Sequence, residues 1–290
     1  MTLQDYLQSK YTPKSSKSYY RDISLYQAAQ PQAATASYSQ IIAYLEQLRK
    51  SQTPSSMKRI LQSIKKYYNY LAFTEQRRDN PAASIQLKDA QRAVGILPNN
   101  LLSSAEIKQL WQHLVDKQWR YKLLKNRNLS MLSLVLYQGL TSREIQQMQP
   151  SNIQLPSGKV YVAGSSRTHA RTLALQPCQI LPLYDYLQKD RAALLQGKTS
   201  KSLFINKLGR AETGESLHYL LESNSYVIPD KKVNPKQVRM SVLAEQFRQG
   251  KSLEQVQYFA GHKYPSSTER YNFNHLQALK EEILAHHPLK

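Results

Sequence analysis

At 290 residues, with 41% hydrophobic and 21% charged side chains, the chain is long enough for two domains that each bury a core, and its composition is that of a globular protein. Forty Lys and Arg against twenty Asp and Glu give a net charge of +20, which favours a polyanionic partner because each neutralised phosphate releases condensed counterions. A single cysteine, Cys178, excludes an intrachain disulfide and a cysteine-built zinc site; residues 1–21 lack the apolar run of a signal peptide, and no window approaches the roughly 20 apolar residues of a membrane span, so a cytoplasmic location is expected.

Residues 1–88 read as a helical DNA-binding domain. Leu3, Tyr6 and Leu7 mark a short first helix, and Thr12-Pro13 starts a second over 14–29 with Tyr19, Ile23 and Tyr26 on one stripe. The pattern repeats over 37–50, and Thr53-Pro54 starts a longer helix to Ala72 with Ile60, Leu61, Ile64, Tyr67, Tyr68 and Leu71 inward. Its other face carries Lys58, Arg59, Lys65 and Lys66, expected to touch DNA phosphates; the plainer reading is a solvated face. The twenty tyrosines suit surfaces that pack on sugars and phosphates.

Asn80-Pro81-Ala82 ends the bundle. The following stretch has no helical or strand period, and a linker is expected over 89–102. Two basic domains so joined can close on a duplex as a clamp.

The second domain is expected over 103–290. Ser103 and Glu106 form a capping pattern for a helix to about Asp116, and 128–140 is apolar enough to be core. After a break at Gly139, Ser142 is expected to cap a helix over 143–148. Residues 159–163 and 171–175 read as strands joined by the turn 164–170. Helices are expected over 179–195, 214–223, 235–248 and from a Ser252 cap to Ala260, with a short extended piece at 202–205. A last amphipathic helix over 275–286 could dock on its own domain or on a neighbour.

Chemistry concentrates between Ala260 and Tyr271. A tyrosine hydroxyl, with a free pKa of about 10, needs cationic and hydrogen-bonding neighbours before it attacks anything. Lys236 and Arg239 lie one helical turn apart, so both are expected to project from one face. Singly these residues carry little: Arg239 reads as a surface arginine, His262 as a turn histidine and Tyr271 as one tyrosine of twenty.

Together, Lys236, Arg239, Gly261-His262 and Tyr271 resemble the carboxy-terminal signature of the tyrosine recombinases, the phage-integrase family. In that family a His or Lys precedes an Arg by three residues, a Gly-His follows about two dozen later, and the nucleophilic Tyr comes nine after the His. Here His262 follows Arg239 by 23 residues and Tyr271 follows His262 by nine. Gly139, Leu140 and Glu144 resemble the family's Gly-Leu-Arg segment, and the first domain with its Asn80-Pro81-Ala82 exit resembles the core-binding domain. The implied fold is mainly α with a small antiparallel β-sheet: a helical, SAM-like core-binding domain plus a mixed α+β catalytic domain.

The resemblance implies strand cleavage and rejoining through a 3'-phosphotyrosyl link made by Tyr271, with neither metal nor nucleotide cofactor. A guanidinium fork suits two oxygens of the anionic phosphorane, a role that falls to Arg239, with His262 adding a hydrogen bond and Lys236 a further cation. Two departures stand out. Thr141 occupies the place of the family's first arginine, as in some integrases of conjugative transposons; Arg143, or an arginine from elsewhere, is expected to supply the charge, beside the family's supporting Glu144. Ser165 occupies the place of the hairpin lysine that protonates the leaving 5'-oxygen. Arg167, His169 and Lys159 are the candidates to replace it: a guanidinium titrates too high for that task, an imidazole in a better range, and Lys159 is displaced.

The leading reading is an integrase or transposase of a mobile element, acting as a homo-tetramer on two double-stranded DNA sites. An accessory recombinase or a directionality factor is a further expected partner. The alternatives are a non-cleaving DNA-binding relative serving as regulator or structural partner, and a type IB topoisomerase-like relaxing enzyme.

Overall fold

In the computed structural model, which describes residues 1–87 and 100–273, hydroxyl side chains open the helices of the first unit. Thr2, Thr12, Ser37 and Thr53 cap α1 (Leu3–Lys10), α2 (Pro13–Ala29), α3 (Tyr38–Arg49) and α4 (Pro54–Phe73), each accepting from a backbone N–H of the first turn. Leu7, Ile23, Tyr26, Ile41, Ile64 and Tyr68 are buried between these helices. The chain divides into two units, residues 1–95 and 96–290.

Tyrosines build much of this first core, while Tyr20 and Tyr38 stay exposed. Tyr6, Tyr26, Tyr44, Tyr67 and Tyr68 are all buried. The Tyr26 and Tyr68 hydroxyls meet at 2.7 Å, and Tyr68 donates onward to the Ala33 carbonyl at 2.8 Å, so burial leaves neither polar tip unmet.

The basic face of α4 is partly engaged within the unit. Arg59 pairs with the buried Asp22 of α2, which Ser63 also satisfies at 2.9 Å. Lys65 donates to the carbonyls of Ala83 and Ile85 at 2.8 and 2.9 Å and ties down the chain that leaves the bundle. Lys66 lies over the Tyr11 ring at 5.3 Å, and Lys58 is exposed. Arg59 and Lys65 thus make intramolecular ties while both remain partly exposed.

In the second unit, α5 (Ser104–Asp116) leads to α6 (Lys125–Gln138), whose Met131, Leu132, Leu134 and Val135 have no exposed surface. Thr141, rather than Ser142, caps α7 (Ser142–Gln147) in a reciprocal box with Glu144. Strands β1 (Ile153–Gln154), β2 (Lys159–Val162) and β3 (Arg171–Ala174) form an antiparallel sheet in that order, with Val160 opposite Leu173 and Val162 opposite Arg171. The two-residue β1 was not expected. Residues 202–205 form no strand; Ile205 makes one bridge to Ala211.

The helix expected over 179–195 is α8 (Pro177–Asp185) and α9 (Arg191–Leu195), joined by a π-helical stretch over Tyr186–Asp190. Then come α10 (Gly214–Glu222), α11 (Pro235–Arg248), α12 (Leu253–Ala260) and the four-residue α13 (Ser266–Glu269). Helices α5, α8, α10 and α11 all pack on α6, which makes it the axis of the unit. The fold is thus mainly helical with one small antiparallel sheet. Among the described residues no helix is long and apolar enough to cross a membrane.

Most of the expected linker, and the helix expected over 275–286, lie outside the described residues. Leu101 and Leu102 are already buried in the second unit, where the Leu102 N–H donates to Ser241 Oγ at 2.8 Å.

Candidate active site

Asn234 caps α11 by accepting from the Gln237 N–H at 2.9 Å, and Pro235 pre-sets its first turn. One turn on, the Arg239 side chain is buried. Its Nη1 donates to the Gly139 carbonyl at 2.7 Å and its Nη2 to the Ala260 carbonyl at 2.8 Å. Both acceptors lie at the carboxy-terminal ends of helices, α6 and α12, where unsatisfied carbonyls favour a cation. Those helices end on Gly139 and Gly261, which take left-handed φ values of 62° and 71°.

The reversal at Gly261 brings His262 back onto the arginine. His262 Nε2 lies 3.1 Å from Arg239 Nη2, and its Nδ1 lies 2.9 Å from the Oγ1 of buried Thr268. A guanidinium can only donate, so Nε2 accepts and the proton sits on Nδ1, facing Thr268. Burial, then the charges of Arg239 and Arg171, push the imidazole down to about 4, and it is neutral at pH 7.

Beneath them lies Glu144. Its Oε2 accepts from the Thr141 N–H at 2.8 Å and the Thr141 hydroxyl at 2.9 Å, and stands 3.7 Å from Arg239 Nη1. Its Oε1 accepts from Arg171 Nη1 at 2.7 Å. Burial pushes this carboxyl up, but Arg171, Arg239 and the Thr141 N–H outweigh that and hold it below the usual carboxylate range.

Arg171 is the residue that sequence reasoning missed. Its side chain is fully buried, and Nε donates to the Phe259 carbonyl at 2.8 Å. The signal was present in the strand pattern: Arg171 shares the inward face of β3 with Leu173, an odd place for a charge unless it is paired.

Tyr271 is half-buried and packs against a cluster of Leu243, Phe247, Val256 and Ala260. Its ring lies nearly parallel to that of His262, at 21° with centroids 6.0 Å apart. No described residue is hydrogen-bonded to its hydroxyl.

The remaining expected residues fall elsewhere. Lys236 is exposed in the first turn of α11 and does not share the burial of Arg239; among the described residues it makes no hydrogen bond or ion pair. Arg143 is exposed on α7, because that helix turns Glu144 and Ile145 inward, and it does not join the cluster. Lys159 pairs with Ala174, at the end of the hairpin opposite its turn, so strand register removes it from the site.

Arg167 and His169 are exposed on the turn itself. Ser165 Oγ organises that turn, meeting Thr168 Oγ1 at 2.9 Å and accepting from the Arg167 N–H at 3.1 Å. Thr168 bridges to His262, and the His169 N–H donates to the Gly261 carbonyl at 2.8 Å. No described grouping of His, Cys, Asp and Glu could hold a metal ion.

The second unit is thus helical around a buried cluster of two guanidiniums, one carboxylate and a neutral imidazole, with a tyrosine beside it. The profile of the phage integrase family matches residues 100–278. The tyrosine recombinase XerD of Proteus mirabilis is 26% identical over 236 residues, 81% of this chain and 72% of that one. XerD of Vibrio cholerae serotype O1 is 27% identical over 81% of this chain and 76% of its own. Among solved structures, XerH recombinase bound to its difH substrate superposes with a TM-score of 0.68 at 18% identity, covering 85% of this chain and 70% of that one. Tn1549 transposon integrase bound to transposon right end DNA gives 0.68 at 13% identity over 98% of this chain and all of that one. The chain belongs to the phage integrase family, the tyrosine recombinases, enzymes that cleave and rejoin DNA at specific sites.

Proposed function

We propose that this recombinase serves a mobile element, cutting and rejoining its DNA through a 3'-phosphotyrosyl intermediate in integration, excision or transposition. The observation that carries the chemistry is the contact of Arg239 with His262 at 3.1 Å, with the Tyr271 ring stacked on the same histidine. Tyr271 attacks the scissile phosphate, and Arg239 with His262 holds the phosphorane oxygens. Thr268 Oγ1 both donates and accepts, so it supports the Nδ1–H tautomer of the free site and equally the Nε2–H tautomer that donates to a phosphate. His169, on the turn strapped to Gly261, is the better placed acid for the leaving 5'-oxygen, with Arg167 beside it. Lys236 adds a cation at the head of α11, and Lys58 and Lys66 offer contacts to the DNA backbone from the first unit.

The mobile-element context is supported by Thr141, a departure from the Gly-Leu-Arg pattern that the resemblance places among conjugative-transposon integrases. Assembly as a tetramer on two duplexes fits the same reading; lambda integrase, solved as a tetramer bound to a Holliday junction, superposes at a TM-score of 0.67. Thr141 and Ser165 favour a second reading, a DNA-binding relative that no longer cuts.

DNA flanking the coding region, tiled as nicked suicide duplexes, separates the two. A covalent protein–DNA adduct formed by the wild type and lost in Tyr271→Phe supports the recombinase. Binding without an adduct on every tile leaves the non-cleaving binder.

A further inference from the structure

We propose that Arg171 is the positioning residue that gives the cleavage site its net positive charge, standing in for the arginine absent at Thr141. This rests on the recombinase reading above. The buried cluster holds two guanidiniums, Arg171 and Arg239, and one carboxylate, Glu144. Its net charge is therefore that of one cation, offered to an anionic phosphate. Thr141 adds a neutral donor to Glu144 and no charge.

Without Arg171, Glu144 is left 3.7 Å from Arg239 Nη1 as the only other charge in the cluster. The two then form a neutral pair, and the fork that should hold the phosphate is drawn onto the carboxylate. Arg171 prevents this by occupying Oε1 at 2.7 Å. It acts on the phosphate through Glu144 and Arg239.

Three features set Arg171 apart from an ordinary packing residue. A leucine would fill an inward position of β3 without the desolvation cost of a guanidinium. Its Nη2 is buried without a hydrogen-bond partner among the described residues, so the site retains a charge that its hydrogen bonds do not fully satisfy. The guanidinium also lies against the bare backbone of Gly261, where a Cβ would stand 2.5 Å from Nη1. The glycine before the site histidine thus makes room for this charge as well as for the turn.

The test uses the full chain and single-turnover adduct formation on the suicide duplex that the wild type cleaves. Arg171→Met is expected to slow adduct formation on the order of 10²-fold, the scale of losing one electrostatic stabiliser. Adding Glu144→Gln removes the carboxylate and leaves Arg239 as a lone cation; this double variant is expected to recover about tenfold or more, a coupling that a charge role requires. Thr141→Arg in the Arg171→Met background restores the same charge and should recover the rate likewise.

A folded double variant as slow as Arg171→Met overturns the proposal, as does an Arg171→Met protein that cleaves at the wild-type rate. If Arg171→Met does not fold, Arg171→Lys decides: cleavage within about tenfold of wild type supports a charge role, and a folded but inactive lysine variant overturns it. A wild type that cleaves no duplex overturns the recombinase reading and this inference together, whereas a cleaving wild type with an unaffected variant overturns the inference alone.

Discussion

Arg239 Nη2 lies 2.8 Å from the Ala260 carbonyl and 3.1 Å from His262 Nε2, so one nitrogen joins the end of α12 to the histidine that follows it. Nη1 of the same fork reaches the Gly139 carbonyl at the end of α6. The fork is oriented by backbone before any ligand arrives, which is the condition for electrostatic preorganisation.

Arg239→Lys keeps the charge and loses that geometry, since an ammonium is a point charge and not a planar fork. We expect a loss of about 1–3 kcal/mol in stability from the buried carbonyls left unmet. Adduct formation should fall by about 10²–10³-fold, beyond what the stability loss explains. Denaturant melts and single-turnover assays on one preparation measure both; an active lysine variant would remove the preorganised fork from the account.

Acid should destabilise the second unit before its carboxylates titrate. His262 is held at about 4 in the folded chain against 6.5 when free. Between those values the unfolded chain binds a proton that the folded chain refuses, so stability is lost as pH falls from about 6.5 towards 4. Glu144, held below its ordinary 4.5, adds a loss as pH falls below that value. Melting temperatures of wild type and His262→Gln, followed from pH 7 to 4.5, should converge because the variant lacks the titrating group. Parallel curves would contradict this.

Gly261 and Gly250 offer a matched pair. Both have positive φ, 71° and 78°, but a Cβ on Gly250 meets nothing within 4 Å while one on Gly261 meets the Arg171 guanidinium. Gly250→Ala should cost only the backbone term of about 1 kcal/mol. Gly261→Ala should cost about 2–4 kcal/mol and lose cleavage besides, because the displaced group is a buried charge. Urea melts of the two variants give the comparison directly.

On α4, neighbouring cations should behave in opposite ways. Arg59→Ala removes the nearest cation from the buried Asp22, leaving Arg21 at 3.6 Å and the Ser63 hydroxyl, and is expected to cost about 1–3 kcal/mol. Lys58→Ala should stay within about 0.5 kcal/mol of wild type in stability. On the DNA-binding reading it should instead lower the salt slope of DNA binding by about one. Thermal melts and salt-dependent titrations assign each residue, and a stable Arg59→Ala would show that its ion pair is dispensable.

The helices of both units were legible because their signals are local: hydroxyl caps, Pro at the first turn and apolar stripes. The spacing from Arg239 to Tyr271 was legible for a similar reason, since α12, its glycine end and the short α13 fix that distance along the chain. The role of Arg171 was not: the alternation of β3 marks it as inward, but its partners Glu144 and Phe259 lie 27 and 88 residues away and nothing local names them. The roles of Arg59 and Lys65 were hidden likewise: periodicity defines the face of a helix but not the neighbour packed on it. Two residues of β1 are too few to alternate.

Surface turns ordinarily absorb an extra residue without consequence. The hairpin turn over 164–170 does not have that freedom. Thr168 is in antiparallel register with His262, and the next N–H along closes on Gly261. An insertion or deletion between Ser165 and Thr168 would shift that register and carry the histidine off Arg239 without touching either residue. The length of this turn is therefore coupled to the position of His262, whereas its composition at the exposed positions is not.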